Sequence, residues 1–374
     1  MPSHQLELGL FFMPVHRPEK PWAVALQEDR EAIILAERAG YAEAWVGEHF
    51  STKVEQIPAP LMFMATLIDA TSTMRFGTGV VNLGHRHPIV VAAEAAQFDQ
   101  LSGGRLILGV GPGGLVSDGE MFGRPDMAER VEAAMESIDM ILACWTATAP
   151  FDLPGNYWQT SLQDQVWLSH GVGELCRPLQ DPHPPLAMAM VSPGGRTAET
   201  IAERDFIPMS ANFVPLDAVA AQWESYAARR EALGRSADRS IWRVCRNILV
   251  TDSDAEAREL LDDPDGPFSF YFRYLRGLRQ MPEIARDQID SIATLNDMLG
   301  VEEAIEQCVI AGSVTSVTDQ LMAMTDSLGP FGKLVSVGHD WDDTGRWQRS
   351  LSAVASEIRP RLQQHMDSMV QAAA

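Results

Sequence analysis

The side chains able to do chemistry fall in short stretches: Glu48-His49, Asn82 with His85, Gly111-Pro-Gly-Gly114, Ser192-Pro-Gly-Gly-Arg196, Asn247 and His339. His49 suits an acid, a base or a hydrogen-bond donor to an oxygen-centred intermediate, and Glu48 beside it can set its orientation or charge. The bland alternative is a histidine hydrogen-bonded in a core. Ser192 to Arg196 is a glycine turn opening a helix, where main-chain N–H groups form an anion site and Arg196 adds charge. A simple N-cap turn explains the same residues. Gly111 to Gly114 lets backbone approach a flat ligand, though a tight turn also needs glycine. His85-Arg-His87 runs straight into Pro88, so it does not present two histidines on one element, and no metal site is expected.

These residues need strands that end beside them. Leu6 to Phe12, Ala44 to Gly47, Arg75 to Asn82, Arg105 to Val110, Leu186 to Val191, Phe206 to Ser210, Trp242 to Val250 and Lys333 to Val337 read as buried strands. Met13-Pro14 ends the first. Helices alternate with them: Trp22 to Ala39 closed by Gly40, 58 to 70, 89 to 101 entered through Pro88, Met127 to Trp145, Thr197 to Arg204, 216 to 233, and Thr318 to Leu328. Ser253-Asp-Ala-Glu256 is a capping-box signature. Strand, helix and strand within about 40 residues is the size of a right-handed βαβ unit. This alternation predicts an α/β chain folded as a (β/α)8 TIM barrel, with a doubly wound sheet as the alternative. The chemical residues then share the C-terminal rim of the strands. Insertions are expected near 146–185 and 262–315, and the aromatic segment 262–299 is either a lid-like excursion over the barrel mouth or a packing insertion.

With 374 residues, 46% of them hydrophobic, the chain can bury a large core, and one domain spanning 1–374 is expected over two medium ones. A net charge of −22 opposes binding to nucleic acid and anionic membrane surfaces. No apolar run approaches the roughly 20 residues that span a bilayer, so a cytoplasmic protein is expected. Cys144, Cys176, Cys245 and Cys308 are widely spaced and read as reduced filler.

Trp45-Val-Gly-Glu-His49-Phe50, Phe76-Gly-Thr-Gly79, His87-Pro88, Asp99-Gln-Leu-Ser-Gly-Gly-Arg105 and Leu108-Gly-Val-Gly111 together resemble the bacterial luciferase-like flavin monooxygenases. The likeness extends through Met121-Phe-Gly123, Glu129-Arg130 and Ser192, and Phe12-Met-Pro-Val-His16 with Trp45-Val-Gly-Glu-His49 resembles the limonene-monooxygenase-type branch. It implies reduced FMN bound at the barrel mouth, supplied by a separate flavin reductase, with O2 and a small apolar substrate, a terpenoid-like alkene or ketone. It further implies a homodimer. By position, His49 matches the family histidine associated with the flavin hydroperoxide. Asn82 and Gly111 fall at the flavin-facing strand ends, and Val191, Ser192, Gly195 and Arg196 on the phosphate turn. Pro112 stands where the luciferases carry a phosphate-contacting arginine. A non-proline cis peptide is expected at Gly79-Val80. Phe11, Met13 and Phe63 are candidates for the substrate wall. Three other readings stay open: a deazaflavin (F420)-dependent hydride-transfer enzyme of the same fold, a metal-dependent barrel hydrolase, and a non-catalytic flavin-binding protein.

Overall fold

The computed structural model describes residues 5–13, 15–280, 291–340 and 343–372. Pro14, expected to end the first strand, and residues 281–290 of the expected mouth insertion lie outside the described residues. Twelve strands are described: β1 (Glu7–Phe12), β2 (Glu43–Val46), β3 (Arg75–Thr78), β4 (Val81–Asn82), β5 (Leu106–Gly111), β6 (Phe151–Leu153), β7 (Thr160–Leu162), β8 (Leu186–Met190), β9 (Ile207–Ser210), β10 (Arg243–Val250), β11 (Val309–Gly312) and β12 (Lys333–Val337). Eight form a closed parallel barrel in the order β10-β12-β1-β2-β3-β5-β8-β9, with β9 pairing back to β10. This is the expected (β/α)8 fold. Strands buried on both faces need continuous apolar runs, which is how β5 and β8 read in the sequence.

Contacts divide the chain into two compact units. One comprises Met1–Ala44, Lys53–Gln56 and Ala189–Ala374, the other Trp45–Thr52 and Ile57–Met188. In the first, β1 pairs with β12 from Glu7↔Lys333 to Phe11↔Val337, and β12 pairs with β10 through Arg246↔Ser336. Arg243 on β10 meets Glu43 at 2.6 and 3.3 Å, both side chains buried. Losing one partner of such a pair costs about 3–5 kcal/mol, because the other charge stays buried. β11, which the sequence reading did not anticipate, pairs with the outer half of β10, Asn247 to Val250. The helix Pro267–Gln280 turns Phe268, Tyr271 and Phe272 inward. Phe268 and Tyr271 lie edge-on to His339, which stacks on Trp347. Those aromatics are core.

The loop after β1 is clamped to the loop after β12. His16 is buried, its Nδ1 2.7 Å from Asp340 and its Nε2 2.8 Å from Asp29 in helix Trp22–Ala39. With a carboxylate on each nitrogen, the ring carries both protons. Lys20 Nζ donates to Glu28 and to Asp340. His16, Glu28 and Asp340 offer three ligand-type atoms within 4.8 Å, but Lys20 already supplies the charge that a cation would bring.

In the second unit, Thr78 Oγ1 donates to Gly109 O at 2.6 Å, and the Gly79–Val80 peptide is cis, as the resemblance implied. The run Arg75 to Asn82 is two strands, β3 and β4, both paired to β5. β5 leaves room for the bend. A Cβ at Gly109 would overlap the Thr78 carbonyl oxygen, and one at Gly111 would lie 2.8 Å from Val80 Cγ2. The insertion between helix Met127–Thr146 and β8 carries the antiparallel hairpin β6–β7. It is fastened through Asp99, whose carboxylate accepts from the Leu179 and Gln180 N–H groups and from Gln180 Nε2. Among the described residues, no helix is long and apolar enough to cross a membrane.

Two outcomes follow from this packing. Gly109→Ala should cost about 2 kcal/mol or more in denaturant unfolding, because a rigid backbone carbonyl has to move. Burial works to lower the His16 pKa, but hydrogen bonds and charge from Asp29 and Asp340 more than reverse this and raise it to about 9. Its contribution to stability is then complete below the ordinary value of 6.5 and disappears as pH rises through about 9. His16→Gln should flatten that loss in unfolding measured from neutral to alkaline pH.

Candidate active site

His49 stands three residues past β2, its Nδ1 3.5 Å from Asp118 Oδ2. Asp118 lies on the short helix Val116–Met121 after β5, and it also accepts from the N–H groups of Phe50 (3.1 Å) and Ser51 (2.9 Å) and from the Ser51 hydroxyl. Burial alone would raise this carboxyl. The hydrogen bonds from His49, Ser51 and Phe50 outweigh it and bring the pKa down to about 2. A permanent carboxylate only accepts, so its charge, 3.5 Å away, favours a proton on the Nδ1 that faces it.

Glu48 and Asn82 bind each other reciprocally. Glu48 Oε1 accepts the Asn82 main-chain N–H at 2.9 Å, while Asn82 Nδ2 donates to the Glu48 carbonyl at 2.8 Å. Arg86 Nη1 lies 3.1 Å from Glu48 Oε2. Burial pushes the Glu48 carboxyl up to about 7, against the Asn82 and Arg86 interactions that hold it down. His85 is buried and stacked on Phe122 at 5.0 Å, and neither ring nitrogen has a hydrogen-bond partner among the described residues. Burial lowers its pKa. Gly113, with φ +89°, passes so close that a Cβ would lie 2.5 Å from His85 Nε2, and Arg130 Nε holds the Gly113 carbonyl at 3.2 Å. Gly111 ends β5 opposite Asn82. In this unit the structure therefore gathers His49, Asn82 and Gly111. Phe63 is half-buried on helix Pro60–Ala65.

The first unit holds the other expected residues. Val191, Ser192, Gly195 and Arg196 form an exposed turn between β8 and helix Arg196–Glu203, with Gly194 and Gly195 at φ +61° and +83°. Gln222 Nε2 pins the turn through the Ser192 carbonyl at 2.8 Å, and no side chain caps the helix. Phe11 and Met13 are half-buried at and just past the end of β1.

Just past β9 and on β10, Asn212 and Asn247 join Tyr271 and His339 in a buried chain. Asn212 Nδ2 donates to Asn247 Oδ1 (2.9 Å) and to Tyr271 Oη (2.8 Å), and Asn247 Nδ2 donates to the Asn212 and Cys308 carbonyls. Asn247 Oδ1 thus accepts from His339 Nε2 at 3.1 Å, which fixes the histidine tautomer. Burial drives the His339 pKa down to about 3, so the ring is neutral. Asp118, Arg86 and Asn212 escaped the sequence reading. Asp118 sits in the loosely patterned stretch before Met121-Phe-Gly123, where only the fold brings it to His49.

A family model described as luciferase-like monooxygenase matches residues 6–329. The 4-hydroxyprotoasukamycin monooxygenase of Streptomyces nodosus subsp. asukaensis is 32% identical, covering 98% of this chain and 94% of that protein. The limonene 1,2-monooxygenase of Rhodococcus erythropolis is 28% identical over 95% of this chain and 86% of its own. Among solved structures, the oxygenating constituent of 3,6-diketocamphane monooxygenase from Pseudomonas putida, a Type II Baeyer-Villiger monooxygenase in complex with FMN, superposes with a TM-score of 0.79. It is 26% identical and covers 95% of this chain and 98% of that one.

Because Glu48 keeps its proton longer in the fold than in the unfolded chain, stability attributable to it falls as pH rises from about 4.5 to about 7 and is level above that. Glu48→Gln should remove that slope, worth on the order of 3 kcal/mol, when unfolding free energies of the two proteins are compared across the window.

Proposed function

We propose, from the premise that this chain belongs to the luciferase-like monooxygenase family and is an FMN-dependent monooxygenase, that it takes reduced FMN from a separate reductase and uses O2 to oxygenate a small apolar substrate. The observation that carries this reading is the His49–Asp118 pair, an imidazole oriented by a permanent carboxylate at the end of a barrel strand. The printed names of the relatives, a limonene 1,2-monooxygenase and a Baeyer-Villiger enzyme, support a terpenoid-like alkene or ketone as substrate. The description of the latter as an oxygenating constituent supports a partner reductase.

The residues fit a phosphorylated flavin. Glycines at positive φ keep the turn before Arg196 free of side chains, so a phosphate can take the main-chain N–H of Ser192 and replace the long 3.4 Å bond that the Gly195 N–H makes to Ser225 Oγ, with Val191 flanking them. Arg196 is exposed there and would supply the charge that Pro112 cannot. Gly111 and the adjoining Gly113 permit close approach of a flat ring, and Asn82 is held rigid beside them. Reduced FMN supplies the electrons that activate dioxygen. The chain's own residues bind, orient and move a proton. Asp118 holds the His49 ring, whose Nε2 gives or takes the proton of the oxygen being transferred. Phe11 and Met13 in the first unit, and Phe63 in the second, are the apolar residues assigned to keeping water from the reacting atoms.

Anaerobic titration with reduced FMN should show binding. With a generic flavin reductase, NADH and air, a panel of terpenoid alkenes and ketones should give at least one product one oxygen heavier by mass spectrometry. His49→Ala should lower product per reduced flavin on the order of a hundredfold. Binding of reduced deazaflavin with hydride transfer, and none of reduced FMN, would redirect the assignment. Unchanged oxygen transfer in His49→Ala would remove that residue from the chemistry.

A further inference from the structure

Cys144 and Cys176 are 32 positions apart in sequence but face the same crevice. It is walled by Ile89 and Ala92 of helix Pro88–Ser102, Cys144 and Trp145 of helix Met127–Thr146, and Leu175 and Cys176 of the connection to β8. It is narrow, with room for no more than about one water molecule. The walls are tied to one another. Trp145 Nε1 donates to the Ala92 carbonyl at 2.9 Å, locking one helix to the other. Arg177 Nη2 donates to the Ala147 carbonyl at 3.3 Å, which holds the residue after Cys176 to the end of the helix that carries Cys144. Gln100 Nε2 donates to the Arg177 carbonyl at 3.0 Å, and Asp99 takes the Leu179 and Gln180 N–H groups. Both cysteines are unbridged, Cys144 buried and Cys176 exposed.

We infer that Cys144 and Cys176 are a peroxide-responsive thiol pair that closes across this crevice into an intramolecular disulfide. The two sites differ in the way a stepwise oxidation needs. Cys176 meets solvent, whereas burial raises the Cys144 thiol and protects it from direct attack. The Cys176 thiolate attacks one oxygen of hydrogen peroxide. The O–O bond breaks, hydroxide leaves and is protonated to water, and Cys176 becomes a sulfenic acid. The Cys144 sulfur then attacks that sulfur and expels its hydroxyl, which leaves as a second water with the Cys144 proton. Two thiols and one peroxide thus give one disulfide and two waters, with two electrons passing from sulfur to oxygen. The bridge would tie down both ends of the insertion that carries β6 and β7. A monooxygenase that reduces oxygen without transferring it releases hydrogen peroxide. That source rests on the proposed function, whereas the thiol chemistry does not.

The test uses the fully reduced, full-length chain with added hydrogen peroxide, followed by alkylation and intact mass measurement. Two of the four thiols should become unreactive with a loss of two hydrogens. Peptide mapping should join Cys144 to Cys176, and dithiothreitol should restore both. Proteolysis between residues 147 and 175 should slow on oxidation. Cys176→Ser, at an exposed position, and Cys144→Ala should each abolish the two-hydrogen loss. Overoxidation of Cys176 alone while Cys144 stays alkylatable, or a dimer bridged through two copies of Cys176, would overturn the pair. Product formation without added peroxide is scored separately. A disulfide with no oxygenation of any substrate leaves the thiol pair standing and removes the proposed function.

Discussion

The reciprocal bond between Glu48 and Asn82 is the interaction on which the histidine-bearing unit depends. Asn82 is the last residue of the two-residue strand β4, and its main-chain N–H is satisfied by a side chain from the end of β2. In return, its own amide satisfies the carbonyl next to His49. The price is a buried carboxyl whose ionisation is shifted to near neutrality. Arg86 offsets part of that cost and is itself shared with Glu94. Around this lock the remaining constraints are steric. Gly109 accepts the Thr78 carbonyl, Gly111 the Val80 side chain and Gly113 the His85 ring, so one strand end and its loop accommodate three close approaches.

The other unit meets the same demand, that buried polar groups find partners, with a neutral network. Asn212 and Asn247 pass hydrogen bonds between a tyrosine and a histidine without any formal charge, and the histidine is enclosed by Phe268, Tyr271 and Trp347. Charge appears one residue later, at Asp340, where His16 and Lys20 neutralise it. Neighbouring residues at one strand end therefore have opposite electrostatic settings. His339 is held neutral and His16 is held charged.

The barrel was legible because a strand buried on both faces leaves a run of apolar residues, and because glycine and proline marked the turns that separate those runs. Gly40 does adopt the left-handed conformation its position suggested, and Ser253 does accept from the Glu256 N–H. β11 was not legible, since Val309–Gly312 has no hydropathy signature apart from its pairing with the outer half of β10. His49 and Asn82 were visible as polar residues at strand ends. Asp118 was not, because its role comes from an approach across 69 residues of chain that no local spacing encodes. The aromatic residues of Pro267–Gln280 suggested either a cover or a packing insertion, and Phe268, Tyr271 and Phe272 are packed. The cysteines were distant in sequence, and only the contact between a helix end and a connection brings two of them to one surface.

The pairing of β1 with β12 also has a consequence for synthesis. Glu7–Phe12 emerges from the ribosome roughly three hundred residues before Lys333–Val337, the strand that hydrogen-bonds its free edge. Through most of translation, Leu8 and Leu10 belong to an unpaired apolar edge, and His16 waits equally long for Asp340. The nascent chain must therefore shelter its first strand until its last has been made.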